Sequence, residues 1–185
     1  MLSRAATAYQ PCPNGEGLRR GERVSYVLDR HAAETILEYL RAEGLQPEPY
    51  LAGGQLTLVE ARRLLFRNGR FDPDAVLENL ALDLERTVEQ GFTGLRMTSE
   101  MSWATHRRAG SGRLMEFECK SNALFAEGLF IGLCQYDRRR FSPVQLLEAI
   151  AVHPEIVSDR GRHRNLFFTT PRHVAGECSA ADLLE

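Results

Sequence analysis

Short apolar, β-branched runs alternate with helical periodicities along most of the 185 residues. That alternation is the signature of strand-helix-strand units around a mostly parallel sheet. Val24 to Leu28 reads as the first strand. The segment after it places Ala33, Ile36, Leu37 and Leu40 on one face of a helix that Asp29 can cap and Gly44 can end. Gln55 to Val59 is a second strand, reached through the Pro- and Gly-rich connection Gln46 to Gly54. Asn68 to Pro73 is a turn that opens a helix, with Asp72 as N-cap and Pro73 at the first helical position, where its missing N–H costs nothing. That helix carries the stripe Val76, Leu77, Leu80, Leu84 and Val88 and stops at Gly91. Gly94 to Thr98 reads as a third strand, Gly112 to Glu127 as a helix, and Leu129 to Tyr136, the most apolar run, as a central strand. A capping box, Ser142-Pro143-Val144-Gln145, starts a last helix with Leu146, Leu147 and Ile150. Glu155 to Ser158 and Asn165 to Thr169 predict two edge strands.

The expected fold class is therefore α/β, a mostly parallel sheet flanked by helices. The length suits one domain, since a chain of this size buries roughly 70% of its unfolded surface. We place that domain at 17–173, after a weakly ordered amino-terminal segment 1–16 and before a carboxyl-terminal tail 174–185.

Composition then narrows the function. Of the 23 basic residues only Lys120 is a lysine, and no glycine-rich turn precedes it, so no P-loop exists in the chain. A net charge of -2 gives no global attraction to nucleic acid or to an anionic membrane. No apolar run reaches signal-peptide or membrane-span length, which predicts a cytoplasmic protein. Cys12, Cys119, Cys134 and Cys178 are far apart with no C-x-x-C pair, so free thiols are expected. His153, His163 and His173 match no metal-knuckle spacing, and neither a metal nor a cofactor is expected.

Chemistry concentrates where the strands end. Asp29, Glu60, Glu100 and Asp137 each follow an apolar run, and ligands of open α/β sheets bind at that carboxyl edge. Helix capping accounts for Asp29 and Glu60 without further help. Around Glu100 the row continues through Ser102 to Trp103, the one tryptophan, which offers a flat wall beside a polar grip. Around Asp137 the row reads Gln135-Tyr136-Asp137-Arg138-Arg139-Arg140. A core tryptophan and a solvated charge run explain these residues equally well. The candidate ligand-binding set is Glu100, Ser102, Trp103, Gln135, Tyr136, Asp137 and Arg140, with no catalytic residue assigned. From Arg138 to His173 seven arginines face three acids, a surface suited to an anionic ligand or a protein partner but without the aromatic interleaving of a nucleic-acid reader.

These same segments carry a resemblance. Gly17-Leu18-Arg19-Arg20-Gly21-Glu22-Arg23-Val24, Gly69-Arg70-Phe71-Asp72-Pro73, Gly91 to Arg96 running into Glu100-Met101-Ser102-Trp103-Ala104, Cys134 to Phe141 and His153-Pro154 together resemble the MEDS domain, the sensory domain of methanogens and methylotrophs and of dichloromethane-responsive repressors. The resemblance implies a RecA/KaiC-like core without a P-loop, a role in sensing small organic molecules, and a regulatory protein partner of the anti-sigma or transcription-factor type. It implies bacterial signalling rather than direct contact with nucleic acid or membrane. The family's first strand, with its His-Ile-Cys-like motif, and the helix after it have no counterpart in Met1 to Glu16. That gap predicts an exposed sheet edge or apolar face that a homodimer would cover. A non-catalytic sensor is therefore the leading expectation. The alternative is a carboxylate- or metal-dependent hydrolase using Glu100 and Asp137 on a nucleotide or phosphate ester, and a third reading makes the arginine-rich third a docking surface.

Overall fold

The structure is a computed structural model that describes residues 13–106, 108–125, 128–158 and 161–168. In chain order it runs α1 (Pro13–Arg19), β1 (Arg23–Leu28), α2 (Ala33–Ala42), α3 (Pro47–Ala52), β2 (Leu56–Glu60) and α4 (Ala61–Leu64). The hairpin β3 (Phe66–Arg67) and β4 (Arg70–Phe71) leads into α5 (Pro73–Glu89) and β5 (Leu95–Glu100). Then come α6 (Leu114–Ser121), β6 (Phe130–Gln135), α7 (Pro143–Val152) and the hairpin β7 (Glu155–Ser158) with β8 (Gly161–Arg164).

Four strands form one parallel sheet in the order β2-β1-β5-β6, as strands joined by helical crossovers must. Alternation along the strands gives the sheet two faces. On the first face, Val24 and Leu56 pack with Leu18 of α1, Leu40 of α2 and Leu45. Tyr26 and Leu28 join Ile36 there. On the second face, Val27, Leu95, Met97 and Phe130 pack with Val76 and Leu80 of α5, Phe117 of α6 and Phe141. The second face holds the larger core. An aromatic group at its centre sets Phe71 with its ring centroid 4.6 Å from Trp103 and 5.7 Å from Phe117.

The start of the domain is fixed by an ion pair. Arg96 on the first face reaches Glu22 through two hydrogen bonds, Nε to Oε2 at 2.5 Å and a terminal nitrogen to Oε1 at 3.1 Å, both side chains being buried. Gly17 lies against this pair, where an added Cβ would stand 2.7 Å from Arg96 Nε and 2.8 Å from Glu22 Oε2. That close approach is why a glycine stands in this turn of α1.

Several sequence expectations are met. Asp72 caps α5 by accepting from the Asp74 N–H, Pro73 opens it, and the Ser142–Gln145 capping box is formed in both directions. Others are corrected. The Gln46 to Gly54 connection contains α3. Asp29 does not cap α2, whose N-cap position is Ala32 with no side-chain bond. Glu60 stands at the N-cap of α4 but makes no capping bond, and pairs with Arg62 instead. Of the helix expected at Gly112 to Glu127, the described residues form one short α-helix, Leu114–Ser121, flanked by 3-10 turns, Ser111–Arg113 and Asn122–Phe125; Ala126 and Glu127 lie outside the described residues. Within α5, Thr87 is buried and Val88 is 46% exposed, because the helix turns its last apolar residue to solvent. β7 and β8 make a separate antiparallel hairpin rather than sheet edges, and Asn165 to Phe168 is not a strand.

The largest correction concerns β6. Its apolar sequence predicts a central strand, yet among the described residues it is an edge. Phe130, Gly132 and Cys134 face the core, while Ile131 on the other side is 39% exposed. Free thiols hold for Cys134 and are corrected at Cys119, which is disulfide-bonded; Cys12 and Cys178 lie outside the described residues.

Candidate functional site

The carboxyl ends of β1, β5 and β6 bring together a polar rim on the first face. Glu100 ends β5, and across the strand pairing it sits beside Gln135 of β6. The bend after β1 turns three successive backbone N–H groups inward, and Glu100 Oε2 accepts from Asp29 at 2.8 Å, from His31 at 3.2 Å and from Arg30. Converging main-chain donors of this kind make an anion-binding nest. The other oxygen, Oε1, accepts from the Tyr26 hydroxyl at 3.2 Å and the His31 Nδ1–H at 2.5 Å. The same hydroxyl lies 2.9 Å from Gln135 Oε1, so its single proton is shared between the two oxygens. Burial alone would raise the Glu100 pKa, but the N–H groups of Arg30 and Asp29 and both donors of His31 outweigh it and hold the carboxyl below its usual range. Asp29 completes the rim by accepting from Ser102 Oγ at 2.6 Å and His106 Nε2 at 3.2 Å.

The second face, directly behind, is different. An apolar cavity of about 40 Å³, partly open at Gly132, lies between β5, β6 and α6, lined by Leu65, Met97, Trp103, Phe117, Glu118 and Cys134 among others. One water needs roughly 10–15 Å³ of such space, so the cavity has room for a molecule of a few heavy atoms. Trp103 is 1% exposed, and its indole N–H has no acceptor among the described residues. Glu118 is 3% exposed, and its Oε1 accepts from the Tyr136 hydroxyl at 2.6 Å. Its Oε2 faces Cys134 Sγ at 3.6 Å and His153 Nε2 at 3.4 Å. Burial, and then the Glu118 charge, push the Cys134 thiol and the Tyr136 phenol well above their ordinary values. A wider groove of about 370 Å³ between α4, β3 and α5 is open, and its polar lining, Arg63, Arg67, Asp72 and Asn79, is exposed or half-buried.

The seven residues expected to form one site are thus distributed. Glu100, Ser102 and Gln135 share the rim. Trp103 and Tyr136 belong to the second face. Asp137 is held at the surface by Arg139, with bonds of 2.9 Å from two guanidinium nitrogens, and by Arg140 at 3.6 Å. The Arg139 guanidinium, with its backbone N–H, brings the Asp137 carboxyl down to about 2.

Sequence reading missed Tyr26, His31 and His106 on the rim, where no spacing signals them. It also missed Glu118, although a signal existed. Leu114, Phe117, Glu118 and Ser121 fall at helical spacing on the buried face of α6, so a carboxylate stands at a core position.

Residues 15–154 match the model of the MEDS family, described as the methanogen/methylotroph, DcmR sensory domain. The chain belongs to the MEDS family. Beyond this match, no functionally curated protein sequence is similar to the chain. The MEDS fold here is similar to the crystal structure of a KaiC-like protein from the hyperthermophilic archaeon Pyrococcus horikoshii. The TM-score is 0.50 at 14% identity, covering 77% of this chain and 59% of that one. That likeness shows the RecA/KaiC-type fold, and the MEDS domain spans about 59% of the length of the archaeal protein. No helix among the described residues is long and apolar enough to cross a membrane.

Proposed function

We propose that this MEDS domain is a non-catalytic sensor of a small organic molecule, which acts on a separate regulatory protein and binds its ligand in the cavity on the second face. The observation that carries this reading is an apolar cavity whose lining includes Trp103, a residue with a buried, unpartnered indole N–H. Buried donors without acceptors are rare and ask for a partner, and small-molecule sites pair apolar walls with few polar groups. The rim supports the non-catalytic part of the reading. Both oxygens of Glu100 and one of Asp29 already accept hydrogen bonds from the protein. The other carboxylate of the hydrolase alternative, Asp137, is tied to arginines at the surface.

Trp103 is the one tryptophan, so its emission reports on the chamber. Short halocarbons, alcohols and carboxylic acids, screened by fluorescence and thermal melting, should include at least one class that changes emission saturably and raises Tm. A ligand at a hundredfold excess over Kd adds about 2.7 kcal/mol. Gly132→Ala should abolish the response, since its new Cβ would stand 2.8 Å from the Phe125 ring on the cavity wall. A response that survives this substitution, or none across the screen, overturns the reading.

A further inference from the structure

We propose that Glu118, Cys134 and His153 form a binding site for a borderline-soft divalent transition metal, zinc or a close relative. Their ligand atoms, one carboxylate oxygen, one sulfur and one ring nitrogen, all lie within 4.8 Å of one another. Bond lengths of about 2.0–2.3 Å put the donors of a tetrahedral zinc centre roughly 3.3–3.7 Å apart. A contraction of about 1 Å in the longest separation therefore completes the set.

Three features show that the donors are aimed rather than merely near. His153 Nδ1 donates to the Ala149 carbonyl at 2.6 Å, which leaves Nε2, the nitrogen facing Glu118, with the lone pair in the neutral ring. A backbone carbonyl behind a ligating histidine is the usual support for such a ligand. Tyr136 occupies Oε1 of Glu118 and so turns Oε2 toward Cys134 and His153. Glu118 is buried with no arginine or lysine against it among the described residues, so the only cation within reach would be a protonated His153.

Charge favours a dication. A divalent ion, a thiolate, a carboxylate and a neutral imidazole sum to zero, the arrangement that an apolar interior penalises least. Binding replaces the Cys134 S–H bond with a metal–sulfur bond and releases that proton to the buffer. Three protein ligands leave a fourth position open, and His153, a quarter exposed, brings one of the three ligands to the solvent boundary. This site does not depend on the sensor reading.

The test is a Co²⁺ titration of the metal-free full chain under reducing conditions, followed by Zn²⁺ competition. One equivalent should give tetrahedral d–d absorption with a thiolate-to-cobalt charge-transfer band, and zinc should displace it. Cys134→Ser, which leaves Cys12, Cys119 and Cys178 in place, should remove the charge-transfer band. Glu118→Gln and His153→Gln should each weaken cobalt by about tenfold or more, and Tyr136→Phe by about tenfold. Metal-free melting of each variant checks the fold, and His153→Gln, outside the cavity lining, disturbs packing least. No saturable cobalt spectrum, or one unchanged in Cys134→Ser and His153→Gln, overturns the proposal.

Discussion

Glu100 and Glu118 are buried almost equally, at 4% and 3% exposure, on opposite faces of one sheet, yet they are wired in opposite ways. Glu100 is surrounded by donors, three of them main-chain N–H groups that cannot move away. Glu118 has one strong donor, Tyr136, and otherwise faces a thiol and an imidazole. The first carboxylate is structural because its hydrogen-bonding capacity is used by the protein. The second retains capacity, and next to it lies a chamber. Burial of a charge therefore does not by itself mark a site; what matters is which groups satisfy it.

The same substitution at both positions puts this difference to the test. In Glu100→Gln an amide NH₂ must face the nest or the Tyr26–His31 pair, leaving donors unsatisfied, and the unfolding free energy should fall by about 2–4 kcal/mol in denaturant titration. A loss below about 1 kcal/mol would break the comparison. The pH dependence sharpens it. Because the folded pKa of Glu100 is lowered from 4.5, its stabilising contribution is complete above that value and is lost as pH falls through the lowered one. Wild type should therefore lose more stability on acidification through this window than Glu100→Gln does. In metal-free Glu118→Gln the change should stay within about 1 kcal/mol of wild type, because no fixed cation or main-chain donor is abandoned. The smallest effect is expected at Asp137→Asn, within about 0.5 kcal/mol, because it removes a solvent-screened pair.

The layout of the fold was legible because strand-helix alternation, the Asp72-Pro73 start and the Ser142 capping box are local signals, and local signals survive into the tertiary structure. What was not legible is which elements neighbour which. β6 has the composition of a central strand because both of its faces carry apolar residues, Ile131 and Leu133 opposite Phe130 and Cys134, and nothing in its sequence says that no strand among those described lies beyond it. The rim was half legible. Glu100 and Ser102 stand where a strand ends, but Tyr26, His31 and His106 join them only through the parallel pairing of β1 with β5. The Glu118–Cys134–His153 cluster draws on α6, β6 and the end of α7, so no spacing along the chain could reveal it.

The main-chain nest after β1 has one further consequence. It is a receptor whose ligand is tethered to the same sheet. Any free carboxylate or phosphate must compete with Glu100 at the effective concentration of an intramolecular partner, which reaches millimolar even on flexible tethers and is higher on a rigid one. The loop is in this sense permanently occupied. A chain without a phosphate-gripping lysine thus also keeps this main-chain anion receptor closed to free anions well below that effective concentration.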